Sequence, residues 1–355
     1  SIEADNTLII FDEIQEVPKA LTSLKYFHEN APQYAIVAAG SLLGVALHQG
    51  TSFPVGKVDF LDLYPLNFRE FLCAMGEKQF VSMLDSCDTQ MVTVFKTKYI
   101  ERLREYYFVG GMPEVVKDFS EKKDYNRVRA IQKNLINYYQ QDFSKHAEIK
   151  LVPRLNLVWN SIPMQLAKEN KKYIYGQVRE GSRAKDFELA IQWLLDCGLI
   201  HKVQRIQKPD LPLKAYIDFD AFKLFLVDIG LLIAMTDLDA KVIIEGNKIF
   251  TEFKGSLTEQ YILQQLISDV GVIPYYYSTQ NSKGEIDFLV QGKTSVIPIE
   301  VKAEENLKAK SLKAFCKKYQ PSYAVRTSMS DYREQDWMTN IPLYAIKWIE
   351  NYVNQ

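Results

Sequence analysis

Four apolar residues that stop on two acids, Leu8-Ile9-Ile10-Phe11-Asp12-Glu13, restrict the fold of this chain more than any other stretch. A run that is apolar at every position suits a strand covered on both faces, and such strands belong to parallel sheets flanked by helices. A helix is expected from about Pro18 to Asn30, with the proline in its first turn. A second buried strand follows over Tyr34 to Ser41, "YAIVAAGS". The stretch "KVDFLDLYPLNFREFLCAMG" then reads as a short strand, a proline break and an amphipathic helix. Parallel neighbours need a crossover and the helices supply it, so the fold class is α/β.

At 355 residues the chain is long for one domain, which makes it multidomain. Residues from about Gly76 to Lys150 read as helical, broken at "FVGGMPE". Over 151–245 come "RLNLVWNSIPMQLAKEN" and "SRAKDFELAIQWLLDCGLI" as helices, then strand-like "HKVQRIQK" and "AYIDFDAFKLFLVD". Helix, turn, helix and a β-wing is a winged-helix layout. From residue 246 a third segment runs through helix "TEQYILQQLIS", strand "VIPYYYST", a hairpin and an amphipathic helix over 306–318. A net charge of −1 gives no overall attraction to nucleic acid, so any such contact must be a local basic patch. Four scattered cysteines, without CxxC, argue against a zinc site or a disulfide framework. With no membrane-length apolar run and no visible signal peptide, a cytoplasmic protein with no membrane partner is expected. The chain enters a strand almost at once and has no initiator Met, which suggests a truncated polypeptide.

"LIIFDE" matches the second acidic motif of P-loop nucleoside-triphosphatases, where a buried strand holds two acids rigidly at its C-terminal end. In that chemistry Asp12 orients Mg²⁺, usually through water, and Glu13 positions or deprotonates the attacking water. Ser41, at the end of the next strand, fits a sensor of the γ-phosphate. The competing reading leaves Asp12 and Glu13 in a surface loop. The phosphate loop G-x-x-x-x-G-K-[ST] is absent; "GTSFPVGKV" has one residue too many between its glycines and Val58 where Ser or Thr is needed.

Together "LIIFDEIQEVP", "VAAGSLLG", "LYPLNFREFL" and "YFVGGMPEVV" resemble the bacterial and archaeal ATPases of the AAA type. In these an incomplete AAA-like core precedes a C-terminal domain of unknown function. The resemblance covers nearly the whole chain. It implies a truncated parallel P-loop core over 1–75, a helical lid over 76–150, a winged helix over 151–245 and a restriction-endonuclease-like domain over 246–355. It also implies ATP and Mg²⁺ as cofactors of the full-length protein. Where such proteins carry Gly-Arg, this chain has Gly56-Lys57, so Lys57 stands where an arginine finger or sensor is expected, without the guanidinium fork.

The hairpin "GEIDFLVQGKTSVIPIEVKAEE" carries ionisable groups inside strands that read as buried. Restriction-endonuclease-like nucleases use an Asp followed at some distance by Glu-x-Lys; here Asp287 and Glu300 are thirteen apart and Lys302 follows. Period-2 geometry puts Glu300 and Lys302 on one face, and a turn near Gln291–Thr294 brings Asp287 alongside. Asp287 and Glu300 are then expected to hold Mg²⁺ or Mn²⁺, Lys302 to stabilise developing charge, and Glu259 to be the extra acid on the preceding helix. The competing reading is a half-exposed hairpin with a surface Glu300–Lys302 pair.

Lys168, Lys171, Lys172, Arg179, Arg183 and Lys185 flank the winged helix, and Lys308, Lys310, Lys313, Lys317 and Lys318 line the last amphipathic helix; either group is a candidate phosphate contact or a solvated face. Of these, Lys171, Lys172 and Arg183 are the expected DNA contacts. Tyr-rich "IPYYYS" over 273–278 reads as core strand in preference to a stacking surface. Three functions follow: a nucleotide-dependent switch ATPase that is DNA-associated, a Mg²⁺-dependent nuclease regulated by the ATPase part, or a non-enzymatic scaffold with both sites degenerate that binds a protein partner.

Overall fold

The structure, a computed structural model, describes residues 3–41, 44, 56–168, 171–245, 251–279, 284–305 and 309–355. The chain divides into two compact units: Ser1–Leu63 with Ala184–Ile200, and Tyr64–Arg183 with His201–Gln355. It is mixed α/β, as expected, and among the described residues no helix is long and apolar enough to cross a membrane.

In the first unit, β1 (Leu8–Phe11) and β2 (Ala35–Ala38) pair in parallel, Leu8 opposite Ala35 through Phe11 opposite Ala38. The helix Pro18–Asn30 is the crossover and starts on its proline. Leu21 of that helix is buried, and the Phe27 ring lies 6.0 Å from Phe11. The expectation of strands buried on both faces fails. Among the described residues this sheet has only two strands, and Leu8, Ile10 and Val37 are 54%, 62% and 49% exposed. The stretch "KVDFL", expected as a short strand, forms none, and Phe60, Leu61 and Leu63 are exposed.

The second unit is built on an eight-stranded mixed sheet in the order β4-β3-β5-β6-β7-β8-β10-β9. Its strands are β3 (Ile200–Ile206), β4 (Ile217–Leu226), β5 (Tyr275–Ser278), β6 (Glu285–Gln291), β7 (Val296–Val301), β8 (Val325–Ser328), β9 (Arg333–Gln335) and β10 (Met338–Pro342). The two strands expected as a wing therefore do not close a separate winged helix. β3 pairs in parallel with β5, Arg205 opposite Tyr276, and β4 lies outside it. The helical stretch expected over 76–150 is present, and it belongs to the same compact unit as this sheet.

The helix Lys310–Tyr319 covers one face of the sheet, where Leu312 and Phe315 join Tyr275, Tyr277, Ile286, Leu289 and Val296 in one apolar cluster. The helix Thr251–Gln265 lies against the sheet at β7. Its glutamines splint other segments. Gln260 accepts from Leu226 N and donates to Leu226 O. Gln264 accepts from Ile229 N, and Gln265 accepts from Phe68 N at 2.8 Å. A buried amide that satisfies backbone groups at both ends contributes without leaving an orphan.

The stretches "YPLNFREF" and "FVGGMPE" meet here. Asn67 and Glu70 form a capping box at the start of the helix Phe68–Ala74. Leu66 N donates to Gly111 O at 2.7 Å, and a Cβ on Gly111 would lie 2.1 Å from Leu66 O. Gly110 has φ +74° and packs on the carboxylate of Asp228. Asp228 accepts from Gly111 N at 2.6 Å, Leu231 N at 3.0 Å and Gln264 Nε2 at 3.2 Å. Burial raises this carboxyl above its ordinary pKa despite those donors. The two glycines are explained by backbone packing alone.

Candidate functional site

Two constellations carry charge at defined positions, one in each unit. In the first, the parallel ladder continues past β1: Ala39 N donates to Phe11 O at 2.8 Å and Ile14 N to Ala39 O at 3.0 Å. These bonds hold the chain on both sides of Asp12 and Glu13, which project into solvent at the C-terminal end of the strand. Glu13 sits in the left-handed region, at φ 48°, a conformation that costs about 1–3 kcal/mol for a residue with a side chain. Glu13 N donates to Asp12 Oδ1 at 3.1 Å, the Gln15 amide donates to Glu13, and Ser41 Oγ donates to Glu13 Oε2 at 3.4 Å. Asp12, Glu13 and Ser41 are thus brought to one end of one sheet, with Glu13 and Ser41 28 residues apart in sequence. Lys57 is not with them; its Nζ lies 3.7 Å from Glu29. An exposed all-oxygen donor set of two carboxylates and a hydroxyl suits Mg²⁺, a hard cation that retains water.

In the second unit the expected nuclease residues separate. Tyr277 faces Ile286 while Tyr275 faces Leu289, so the register slips by one residue and Asp287 and Phe288 share the place opposite Tyr276. This β-bulge turns both onto one side. The Phe288 ring meets Phe225 of β4, and the Asp287 carboxyl meets Glu259 of the Thr251–Gln265 helix. Phe288 pairs with Ile299, so the next residue, Glu300, points to the other face. There Glu300 accepts from Leu312 N at 2.8 Å and pairs with Lys302 at 2.7 Å. The expected convergence of Asp287 with Glu300 and Lys302 is therefore corrected: a one-residue bulge reverses the face. Among the described residues no three His, Cys, Asp or Glu side chains are placed to share a metal ion.

Asp287 instead belongs to a cluster with two lysines. Lys171 and Lys223 both reach Glu259, Lys223 at 3.7 Å, and Lys223 also pairs with Glu285. Lys223 is fully buried on β4, with its ammonium 4.7 Å from the centre of the Tyr276 ring. Burial works to raise the Glu259 carboxyl, but Lys171 and Lys223 outweigh it and hold the group below the usual carboxylate range. Burial and the neighbouring Glu259 charge push Asp287 up to about 7, against Lys223, Lys171 and the Val301 N–H that donates to it at 2.7 Å. Sequence reasoning missed Lys223 and Glu285. The signal was available for Lys223, a charge inside the apolar run "AFKLFLV".

The expected DNA contacts also divide. Lys171 is taken up by Glu259, whereas Arg183 is exposed and Lys172 half-buried, within electrostatic reach of Asp218. Lys310, Lys313, Lys317 and Lys318 are exposed along one helix; Lys308 lies outside the described residues. Tyr275, Tyr276 and Tyr277 are buried, so they are core. His201 is half-buried, and desolvation lowers its pKa to about 4, which keeps it neutral.

Three family models match separate parts of the chain. One described as an AAA domain matches residues 1–72. A domain of unknown function (DUF8612) matches 100–242, and another (DUF4143) matches 254–346. The first of these contains all of Asp12, Glu13, Ser41 and Lys57. No curated protein and no solved structure matches the chain.

Proposed function

We propose that the chain belongs to a nucleotide-dependent switch ATPase of the AAA type, with Asp12, Glu13 and Ser41 as its hydrolytic edge. The observation that carries this reading is the 3.4 Å approach of Ser41 to Glu13 at the shared C-terminal end of β1 and β2. The match of residues 1–72 to an AAA domain supports it. Asp12 would hold Mg²⁺ through water, a charge that supplies electrostatic relief at transferring phosphate oxygens. Glu13 orients the attacking water and accepts its proton. Ser41 keeps the Glu13 carboxylate in place and senses the phosphate by a hydrogen bond. Backbone N–H donors and a lysine must cradle the β- and γ-phosphates. No G-x-x-x-x-G-K-[ST] loop occurs within the 355 residues, so the proposal gives no residue of this chain the role of the cradle.

ATP turnover by the natural gene product tests the reading. Glu13→Gln should retain ATP and lose hydrolysis by about 10²-fold or more, as removal of a positioned base does. Unchanged turnover in that variant would remove Glu13 from the mechanism. The nuclease alternative draws no support from the geometry, because Asp287 and Glu300 lie on opposite faces of the sheet.

A further inference from the structure

Glu259, Asp287 and Glu300, the acids the sequence offers to a divalent ion, and Glu285 beside them each have another partner. Glu259 is paired with Lys171 and Lys223, and Glu285 with Lys223. Glu300 is held by Lys302 and the N–H of Leu312. Asp287 accepts from Val301 N and lies beside the Glu259 carboxyl. Two ammonium charges balance Glu259 and Glu285, and Asp287 completes the cluster most readily as the protonated acid. A divalent ion would have to displace both lysines from a buried position, which costs their desolvated pairing.

Lys171 also lies on a short strap. Two residues on, Tyr173 N donates to Phe222 O of β4 at 2.8 Å, and the two rings stack with centroids 5.5 Å apart. The Gln165 amide then clamps Ile174, accepting from its N and donating to its O. The strap is thereby fastened to β4, to the helix Val152–Leu166 and, through Lys171, to the helix Thr251–Gln265.

The geometry points to a metal-independent lock: the ammonium groups of Lys171 and Lys223 supply the positive charge that Glu259 and Glu285 need, and they close the 171–174 strap over β4. The lock is independent of the nucleotide reading, since it involves no residue of the first unit.

Thermal unfolding of the full chain with and without millimolar Mn²⁺ or Mg²⁺ tests it. The wild type should show no metal-dependent change in Tm. A rise in Tm that Asp287→Asn abolishes would overturn the lock in favour of a metal site. Lys171→Met and Glu259→Gln should each lower Tm by roughly 5–10 °C, and the double variant should lose much less than the two losses added. Strict additivity would equally overturn the proposal. Should Lys171→Met fail to fold, Glu259→Gln alone decides by limited trypsin digestion, with faster cleavage after Lys172 expected and an unchanged rate contradicting the lock.

Discussion

The amide of Gly111 donates to Asp228 Oδ2 at 2.6 Å across 117 residues of sequence. The bond joins the break in the helical stretch to the start of the helix Ile229–Met235, and the same carboxylate caps that helix through Leu231 N. Side-chain room is absent on both sides: a Cβ on Gly110 would lie 2.2 Å from Asp228 Oδ1.

Gly111→Ala should therefore destabilise the second unit by about 2–4 kcal/mol, in the range for forced backbone displacement in a core. Asp228→Ala should cost a similar amount, because it strands buried N–H donors. Urea unfolding of both variants checks this; a loss under about 0.5 kcal/mol for Gly111→Ala would mean that Leu66 and Gly111 are not in backbone contact.

Asp287 makes stability depend on pH in a defined direction. Its folded pKa, raised to about 7, exceeds the unfolded value, which is about 3.9. Between those values the native state keeps a proton that the unfolded chain has released, so this group lowers stability as pH rises from about 4 to 7 and adds no slope above that. Asp287→Asn removes the contribution. Denaturation of wild type and variant at several pH values should show the variant gaining relative stability from pH 4.5 to 7, then a constant difference.

Titration of the 355-residue chain with ATP–Mg²⁺ should give no micromolar binding. Two carboxylates and a serine can position a water and a cation, but they offer no donors to three phosphates. Micromolar affinity by calorimetry would show that residues within this chain build a phosphate cradle.

If the chain binds duplex DNA through the contacts expected from sequence, Lys172→Glu with Arg183→Glu should weaken that binding across all sequences and flatten its salt dependence by roughly two phosphate contacts' worth, a slope change of about 1.8. Lys171→Glu should act differently, lowering the melting temperature through Glu259. Equal effects of all three reversals on DNA, with no change in stability, would contradict the Lys171–Glu259 pairing.

Local pattern made much of the fold legible. The proline at the first turn of the Pro18–Asn30 helix, the break at Gly110-Gly111 and the hairpin turn before Val296 are all written in short-range residue choice. Pairing partners were not. Nothing near Arg205 announces that it will lie opposite Tyr276, so β3 and β4 read as a local wing. The Asp287 error has the same root at smaller scale. Strict alternation from Asp287 to Glu300 predicts one shared face, and a single bulged residue opposite Tyr276 reverses that prediction. The pair Glu13 and Ser41 was found because both lie at strand ends, where parallel register brings them level without a long-range choice. Lys223 escaped notice because a lysine in an apolar strand looks like an edge residue until its two carboxylate partners are in place.

The bond from Phe68 N to Gln265 Oε1 spans 197 residues, and it has a consequence for synthesis. The helix Phe68–Ala74 leaves the ribosome long before the glutamine that receives its first N–H exists. At 5–20 residues per second the wait is roughly 10–40 s. Tyr106 and Phe119 reach Phe68 and Phe71 much sooner, but Phe68, buried in the finished protein, lacks the Tyr261 ring and the Gln265 acceptor throughout that interval. The nascent chain thus leaves the Phe68 end of this helix unfinished, which makes a holding chaperone's access to this segment a determinant of yield.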